Sequence, residues 1–157
     1  MKKYAVDNSS ILYLALIRKD HTNVYRFFLT MSEEVQPDLL QEAVDRIYHR
    51  FPSIFAGFRP GIFHYTQVQA DAPPRVQPDP GCLITMPLVE IHKCAYRVLY
   101  SGKTISIEVF HALTDGYGAI ASFTTLVAEY LRIRHGIHIP VEKTLRDIAA
   151  DPEEAEL

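Results

Sequence analysis

One segment of the chain combines a strand pattern with a histidine and a carboxylate. It runs from Ser106 to Ala119 and reads SIEVFHALTDGYGA. The apolar strand pattern ends on His111, and Asp115 and Gly116 follow within five residues. Because the pKa of an imidazole lies near neutral pH, it can take a proton from a hydroxyl or an amine. The segment therefore predicts a general base at the end of a strand.

The alternation of side chains along a strand predicts where this histidine lies. His111 shares one strand face with three aliphatic residues, Ile105, Ile107 and Val109. That face is expected to be buried, which places His111 at a rim or in a tunnel. Asp115 is expected to hold the turn, either by pairing with a cation or by capping the next helix, and Gly116 and Gly118 to let the backbone turn sharply. The alternative is a rim histidine with no chemical role beside a helix-capping aspartate.

Three pairs of strands are predicted, because runs of β-forming residues flank short polar or glycine-containing connections. The first pair is expected at Ser10–Arg18 and Val24–Met31. The second lies in SIFAGF and IFHYTQVQ, and the third in CAYRVLY and TISIEVFH around Ser-Gly-Lys. The prolines between Asp71 and Leu88 predict an irregular connection, which either covers a face of the sheet or forms an edge that pairs poorly.

Two helices are predicted between these strands and after them. The first begins at Pro37 and has one apolar face, formed by Leu40, Val44, Ile47 and Phe51. The second runs from about Tyr117 to His135 and ends at Gly136. Together the elements predict an α+β fold, with a mixed, mainly antiparallel sheet and two helices packed on one face. One domain is expected over residues 1–140, followed by an acidic linker or tail over residues 141–157.

Composition and charge argue against several classes of protein. A net charge of -3 argues against a nucleic-acid surface. The longest apolar run, ILYLALI, is far shorter than the roughly 20 residues of a membrane span. The start MKKYAVDNSS has two lysines but no apolar segment of its own, so a cytoplasmic protein is expected, with Cys82 and Cys94 as reduced thiols. No metal site is expected, since Gly136 separates His135 from His138 at the helix end.

The HxxxDG pattern in a strand, turn and helix resembles the signature of the chloramphenicol-acetyltransferase-like superfamily. That group includes acyl-CoA-dependent acyltransferases and the condensation domains of peptide synthetases. The resemblance is closest to the N-terminal half of bacterial alcohol acetyltransferase-like proteins. It is carried by YRVLYSGKTISIEVFHALTDGYGAI, RFPSIFAGFRPGIFHY and VYRFFLTM.

The resemblance implies an acyltransferase that uses acetyl-CoA or another acyl-CoA and acts on a small-molecule acceptor. His111 matches the general base, and Gly116 matches the turn glycine. Asp115 matches a structural aspartate that pairs with an arginine. Arg26 is the candidate partner because it interrupts an apolar strand, and Arg18 is the alternative.

The sequence departs from the family pattern at two points. Phe110 stands where many condensation domains have a second histidine, which favours simple acyl transfer. The likeness also covers only the first half of a two-domain enzyme, whose tunnel lies between similar domains. Three alternatives follow for the missing half of the tunnel. It is supplied by a second domain, it is supplied by a second subunit of a homo-oligomer, or the chain has a non-catalytic binding or assembly role. Six aromatic residues are candidates for lining such a tunnel: Tyr13, Phe27, Phe28, Phe63, Tyr65 and Tyr117.

Overall fold

The strands form two sheets in a computed structural model that describes residues 2–6, 8–17, 23–62, 64–137 and 139. A four-stranded sheet has the order β2-β7-β6-β5, and a three-stranded sheet has the order β1-β4-β3. All strand pairs are antiparallel except the parallel pair β5–β6. The strands are β1 Lys3–Tyr4, β2 Val24–Thr30, β3 Ala56–Pro60, β4 Tyr65–Gln69, β5 Gln77–Pro78, β6 Tyr96–Ser101 and β7 Thr104–Phe110.

Four helices accompany these sheets in the described part of the chain. They are α1 Asn8–Ala15, α2 Pro37–Ile47, α3 Leu88–Ile91 and α4 Gly116–His135. The predicted apolar face of α2 is buried as expected, and α2 packs against α4. The aliphatic residues Ile105, Ile107 and Val109 of β7 are fully buried in the same core. The predicted α+β fold is therefore confirmed, with a second, smaller sheet and two further helices that the pattern did not indicate.

The prediction of a strand at Ser10–Arg18 is wrong, because this segment begins with helix α1. Within its apolar run, Ser10 and Leu14 are buried and Tyr13 and Ile17 are partly buried. This i, i+3, i+4, i+7 spacing is helical, but the exposed apolar residues between these positions hide it. The predicted first hairpin is wrong as well, since β2 pairs along its whole length with β7.

The other two hairpins form where the sequence predicts them. β3 pairs with β4, and β6 pairs with β7 through a turn at Gly102, whose φ of +52° is one that glycine adopts easily. Gly136 ends α4 with a φ of +65°, as predicted. The proline-rich connection contributes only the two-residue edge strand β5. The predicted acidic tail, residues 141–157, lies outside the described residues, and no described helix is long and apolar enough to cross a membrane.

Candidate active site

His111 lies immediately after the last residue of β7, where the sheet gives way to the turn before α4. Its backbone N–H donates a hydrogen bond to the carbonyl oxygen of Asn23, at 2.8 Å, just before β2. Although both faces of β7 are buried up to Phe110, His111 itself is exposed. The histidine therefore stands at a rim, as the alternation of the strand predicts.

Two tyrosine rings hold the imidazole of His111. The ring of Tyr13, on α1, stacks on it with centroids 5.0 Å apart and planes 13° from parallel. The ring of Tyr25, on β2, lies 4.6 Å away at 51°. Within the described part of the chain, no side chain or carbonyl hydrogen-bonds a ring nitrogen of His111. The ring contacts restrict the imidazole while leaving its nitrogens available to a ligand.

Helix α1 is anchored so that Tyr13 stays over the histidine. The buried Ser10 hydroxyl donates a 2.7 Å hydrogen bond to the carbonyl oxygen of Ala112, the residue after His111. The side-chain amide of Asn23 lies 3.4 Å from the carbonyl oxygens of both Tyr13 and Leu16. Asn23 thus links the end of α1 to the same backbone that positions His111.

Asp115 caps the N-terminus of α4. Its carboxylate accepts a 2.8 Å hydrogen bond from the backbone N–H of Gly118, which is one of the two roles predicted for it. The Tyr25 hydroxyl reaches the same turn and donates to the carbonyl oxygens of Thr114 and Asp115, at 2.9 and 3.0 Å. Burial raises the pKa of Tyr25, and the nearby Asp115 carboxylate raises it further. The turn is thus fixed from both sides.

The two glycines of the turn differ from expectation, because neither adopts a positive φ. Gly118 is needed instead for a close approach, since a Cβ there would lie 2.2 Å from the Thr114 hydroxyl oxygen. A Cβ at Gly116 would meet nothing nearer than the Phe27 ring, at 4.0 Å. Because Gly116 has no side chain, it leaves space in the wall of the cleft. Its backbone conformation does not require a glycine.

The expected pairing of Arg26 with Asp115 is wrong. Arg26 binds Asp79, at 2.9 Å, and Glu108, at 2.6 Å. Glu108 is almost fully buried and also accepts a 2.8 Å hydrogen bond from Arg97. Arg26 thus satisfies a buried carboxylate inside the sheet. The other candidate, Arg18, lies outside the described residues, and in the described chain Asp115 forms no ion pair.

Arg97 extends the cluster of ion pairs formed by Arg26, Asp79 and Glu108 to the edge of the sheet. Its guanidinium makes two 2.6 Å hydrogen bonds to Glu90 and one of 3.0 Å to the carbonyl oxygen of Ile84. The hydrogen bond with Glu90 raises the pKa of Arg97 against the opposing effect of burial, and Glu108 adds to the rise. The cluster holds the irregular connection against β6 and β7. Sequence reasoning missed it because its members are far apart in the chain.

His111 and Asp115 lie in the wall of an open cleft of about 450 Å³. Ser10 and Tyr13 of α1 form part of that wall, together with Gln67 of β4. Of the six aromatic residues predicted to line a tunnel, Tyr13 lines this cleft, while Phe63 lies outside the described residues. The cleft therefore has room for a small molecule beside the imidazole.

Neither thiol lines this cleft, and of the histidines that the structure describes only His111 does. Cys82 and Cys94 are both free, so they form no disulfide. His138, considered above as a metal ligand, lies outside the described residues. Among the residues that are described, no group of three or more histidine, cysteine, aspartate or glutamate side chains could hold a metal ion.

No protein-family model matches the chain, and no curated protein matches its sequence. Solved structures with a similar fold include the starter condensation domain of rhizomide synthetase RzmA, with a TM-score of 0.70 at 12% identity over 90% of this chain and 40% of that one. A mutant of that domain in complex with C8-CoA gives 0.68 at 12%, over 85% and 36%. The X-domain in its complex with OxyB, from teicoplanin biosynthesis, gives 0.63 at 15%, over 82% and 32%.

These likenesses show the fold alone, which this chain shares with part of the RzmA condensation domain and part of the X-domain. The chain spans about 40% of the length of the RzmA domain and about a third of the X-domain.

Proposed function

We propose that this chain forms part of an acyltransferase that moves an acyl group from acetyl-CoA or another acyl-CoA to a small alcohol or amine. His111 is its general base, and Asp115 and Gly116 shape the turn that presents the histidine. The observation that carries the proposal is the exposed imidazole in the wall of an open cleft, held by two aromatic rings, on this fold. Of the activities in the superfamily that the sequence resembles, alcohol acetyl transfer agrees best, since the sequence is most similar to alcohol acetyltransferase-like proteins.

In the proposed reaction a ring nitrogen of His111 takes the proton of the acceptor hydroxyl or amine. The acceptor oxygen or nitrogen attacks the thioester carbonyl, and a tetrahedral intermediate forms. When it collapses, the carbon–sulfur bond breaks and the thiolate of CoA leaves with the proton that His111 holds. The product is the ester or amide, and the imidazole returns to its neutral form. Phe110, buried directly before His111, supports simple acyl transfer over condensation.

A further wall is part of this proposal, because the cleft is open on one side. The developing oxyanion needs hydrogen-bond donors, and the thioester needs a site from which water is excluded. A second domain, or a second copy of the chain, supplies that wall. In this proposal residues 1–140 are the acyltransferase-like unit, and residues 141–157 are an acidic linker or tail.

A non-catalytic binding or assembly module on the same fold is the second candidate. It is favoured by the apolar surface of α1 and the residue after it, where Ile11, Leu12 and Leu16 remain 46%, 58% and 47% exposed. Apolar side chains grouped in this way indicate a surface that a partner covers. The two candidates differ in whether a bound acyl-CoA is turned over.

Diethyl pyrocarbonate, which acylates accessible imidazole nitrogens, tests the proposal with the unaltered chain. We expect acetyl-CoA to slow the modification of His111, followed by peptide mass spectrometry, and to leave the exposed His49 unchanged. Separately, the unmodified chain in its active assembly, given acetyl-CoA and a short-chain alcohol, should release CoA thiol and form the ester. Protection without ester would favour the binding module, and equal modification of His111 with and without acetyl-CoA would contradict the acyltransferase.

A further inference from the structure

A second cleft lies beside the one that contains His111. It has a volume of about 390 Å³ and lies between β1, the beginning of α1 and the beginning of β4. Ala5 lines both clefts. On α1, Ser10 lines the His111 cleft and its neighbour Ile11 lines the second one. The two clefts are therefore neighbours, and Ala5 lies on their shared border.

The chemistry of the second cleft differs from that of the first. Its wall is formed mainly by hydrocarbon and aromatic surface, from Val6, Ile11, Tyr4 and Tyr65. Ile11 is 46% exposed there, although burial in a ligand contact would remove that apolar surface from water. The polar members are Lys3, Thr66 and the exposed His64. Such a wall suits an apolar chain better than a compact charged group.

We infer that the second cleft binds the hydrocarbon part of the substrate whose reacting group lies at His111. The chain of that substrate passes over Ala5 into the space beside Ile11 and Tyr65. The inference rests on the proposed function for the reacting end, and it adds a preference for substrates longer than acetate or ethanol. The hydrocarbon is either the acyl chain of the donor or the alkyl chain of the acceptor, and the experiments below distinguish the two.

The first experiment closes the border between the clefts. The Ala5→Phe variant places a ring where the chain must pass, without altering His111 or its two tyrosines. We expect kcat/KM for the preferred long-chain substrate, octanoyl-CoA or 1-octanol, to fall at least about tenfold further than the value for the acetyl-CoA and ethanol pair, which also falls because Ala5 lines the His111 cleft. The exposed Ala72, which lines neither cleft, gives the matched control Ala72→Phe. Equal losses for long and short substrates in Ala5→Phe would overturn the inference.

The second experiment does not need turnover. Because the chain contains no tryptophan, the His64→Trp variant carries a single tryptophan in the wall of the second cleft. Octanoyl-CoA should change its emission where acetyl-CoA does not, if the donor supplies the chain. If the acceptor does, 1-octanol should change it where ethanol does not. No change with either long-chain compound would overturn the inference. If the emission responds but no ester forms, the proposed reaction fails while the chain-binding cleft stands.

Discussion

The imidazole of His111 lies flat against the ring of Tyr13, 5.0 Å between centroids and 13° from parallel. The two residues are 98 positions apart in the sequence, Tyr13 in helix α1 and His111 immediately after β7. The hydrogen bond from the Ser10 hydroxyl to the Ala112 carbonyl oxygen keeps the two rings in contact, because it joins α1 to the residue after His111. The orientation of the proposed base thus depends on a helix that is distant in sequence.

Removing the Tyr13 ring should therefore alter the environment of His111 specifically. In Tyr13→Leu we expect the imidazole proton resonances of His111 to move downfield, because the ring current of the stacked tyrosine is lost. The free energy of unfolding should fall by about 1 kcal/mol, the usual value of an aromatic pair. NMR spectroscopy and urea unfolding measure the two effects. Tyr13→Phe keeps the ring and should resemble the unaltered chain; a Tyr13→Leu spectrum with unmoved His111 resonances would contradict the stacking.

Asp115 should act through the capping of α4. Asp115→Ala removes the acceptor for the Gly118 N–H, so the free energy of unfolding should fall by about 1 kcal/mol. Asp115→Asn keeps an oxygen at the same position and should lose much less. Urea unfolding distinguishes the two variants. If Asp115→Asn were as unstable as Asp115→Ala, an ion pair rather than the cap would be the main role of this residue.

The buried ion pairs of Arg97 should matter more than ion pairs on the surface. Arg97→Met leaves Glu108, 1% exposed, with only Arg26, and we expect a loss of about 3 kcal/mol or more in the free energy of unfolding. Arg59 pairs with Asp71 at 3.1 Å in an exposed position, so Arg59→Met should cost less than about 1 kcal/mol. Similar losses in the two variants, measured by urea unfolding, would refute the importance assigned to the cluster.

The two cysteines should differ sharply in reactivity. Burial raises the pKa of the Cys94 thiol to about 12, although a backbone hydrogen bond of Tyr96 opposes the rise. At pH 8 the reactive thiolate is therefore nearly absent at Cys94, whereas Cys82 is exposed. A disulfide reagent such as dithionitrobenzoate should modify one thiol rapidly and the second only on unfolding. Cys82→Ser should remove the rapid phase; two rapid thiols in the unaltered chain would show that Cys94 is accessible.

Local signals in the sequence predicted much of the site. The turn from β7 into α4 is specified by neighbouring residues, so His111 at the rim and Asp115 as a cap follow from alternation and capping preferences alone. The two later hairpins and α4 are equally local. Gly102 and Gly136 mark their turns with conformations that other residues rarely adopt.

The other features of the fold and the site depend on contacts between residues that are distant in the sequence. The apolar run at Ser10–Arg18 is compatible with a strand or a helix. It forms a helix because Ser10 and Leu14, four residues apart, are both buried against the rest of the chain. An inward arginine on β2 requires a carboxylate, but the sequence does not say which one. Arg26 is satisfied by Asp79 and Glu108, 53 and 82 residues away, and not by the motif aspartate. Likewise, nothing local indicated that Ala5 would border two clefts.

The measurement that tests the central claim most directly is the turnover of His111→Ala with an acyl-CoA and an alcohol, in whatever assembly the unaltered chain is active. Melting temperatures of the variant and the unaltered chain establish that both are folded, and His49→Ala serves as the histidine control. If His111 is the general base, kcat should fall by at least about a hundredfold in His111→Ala and stay unchanged in His49→Ala. A folded His111→Ala protein with the kcat of the unaltered chain would contradict the account.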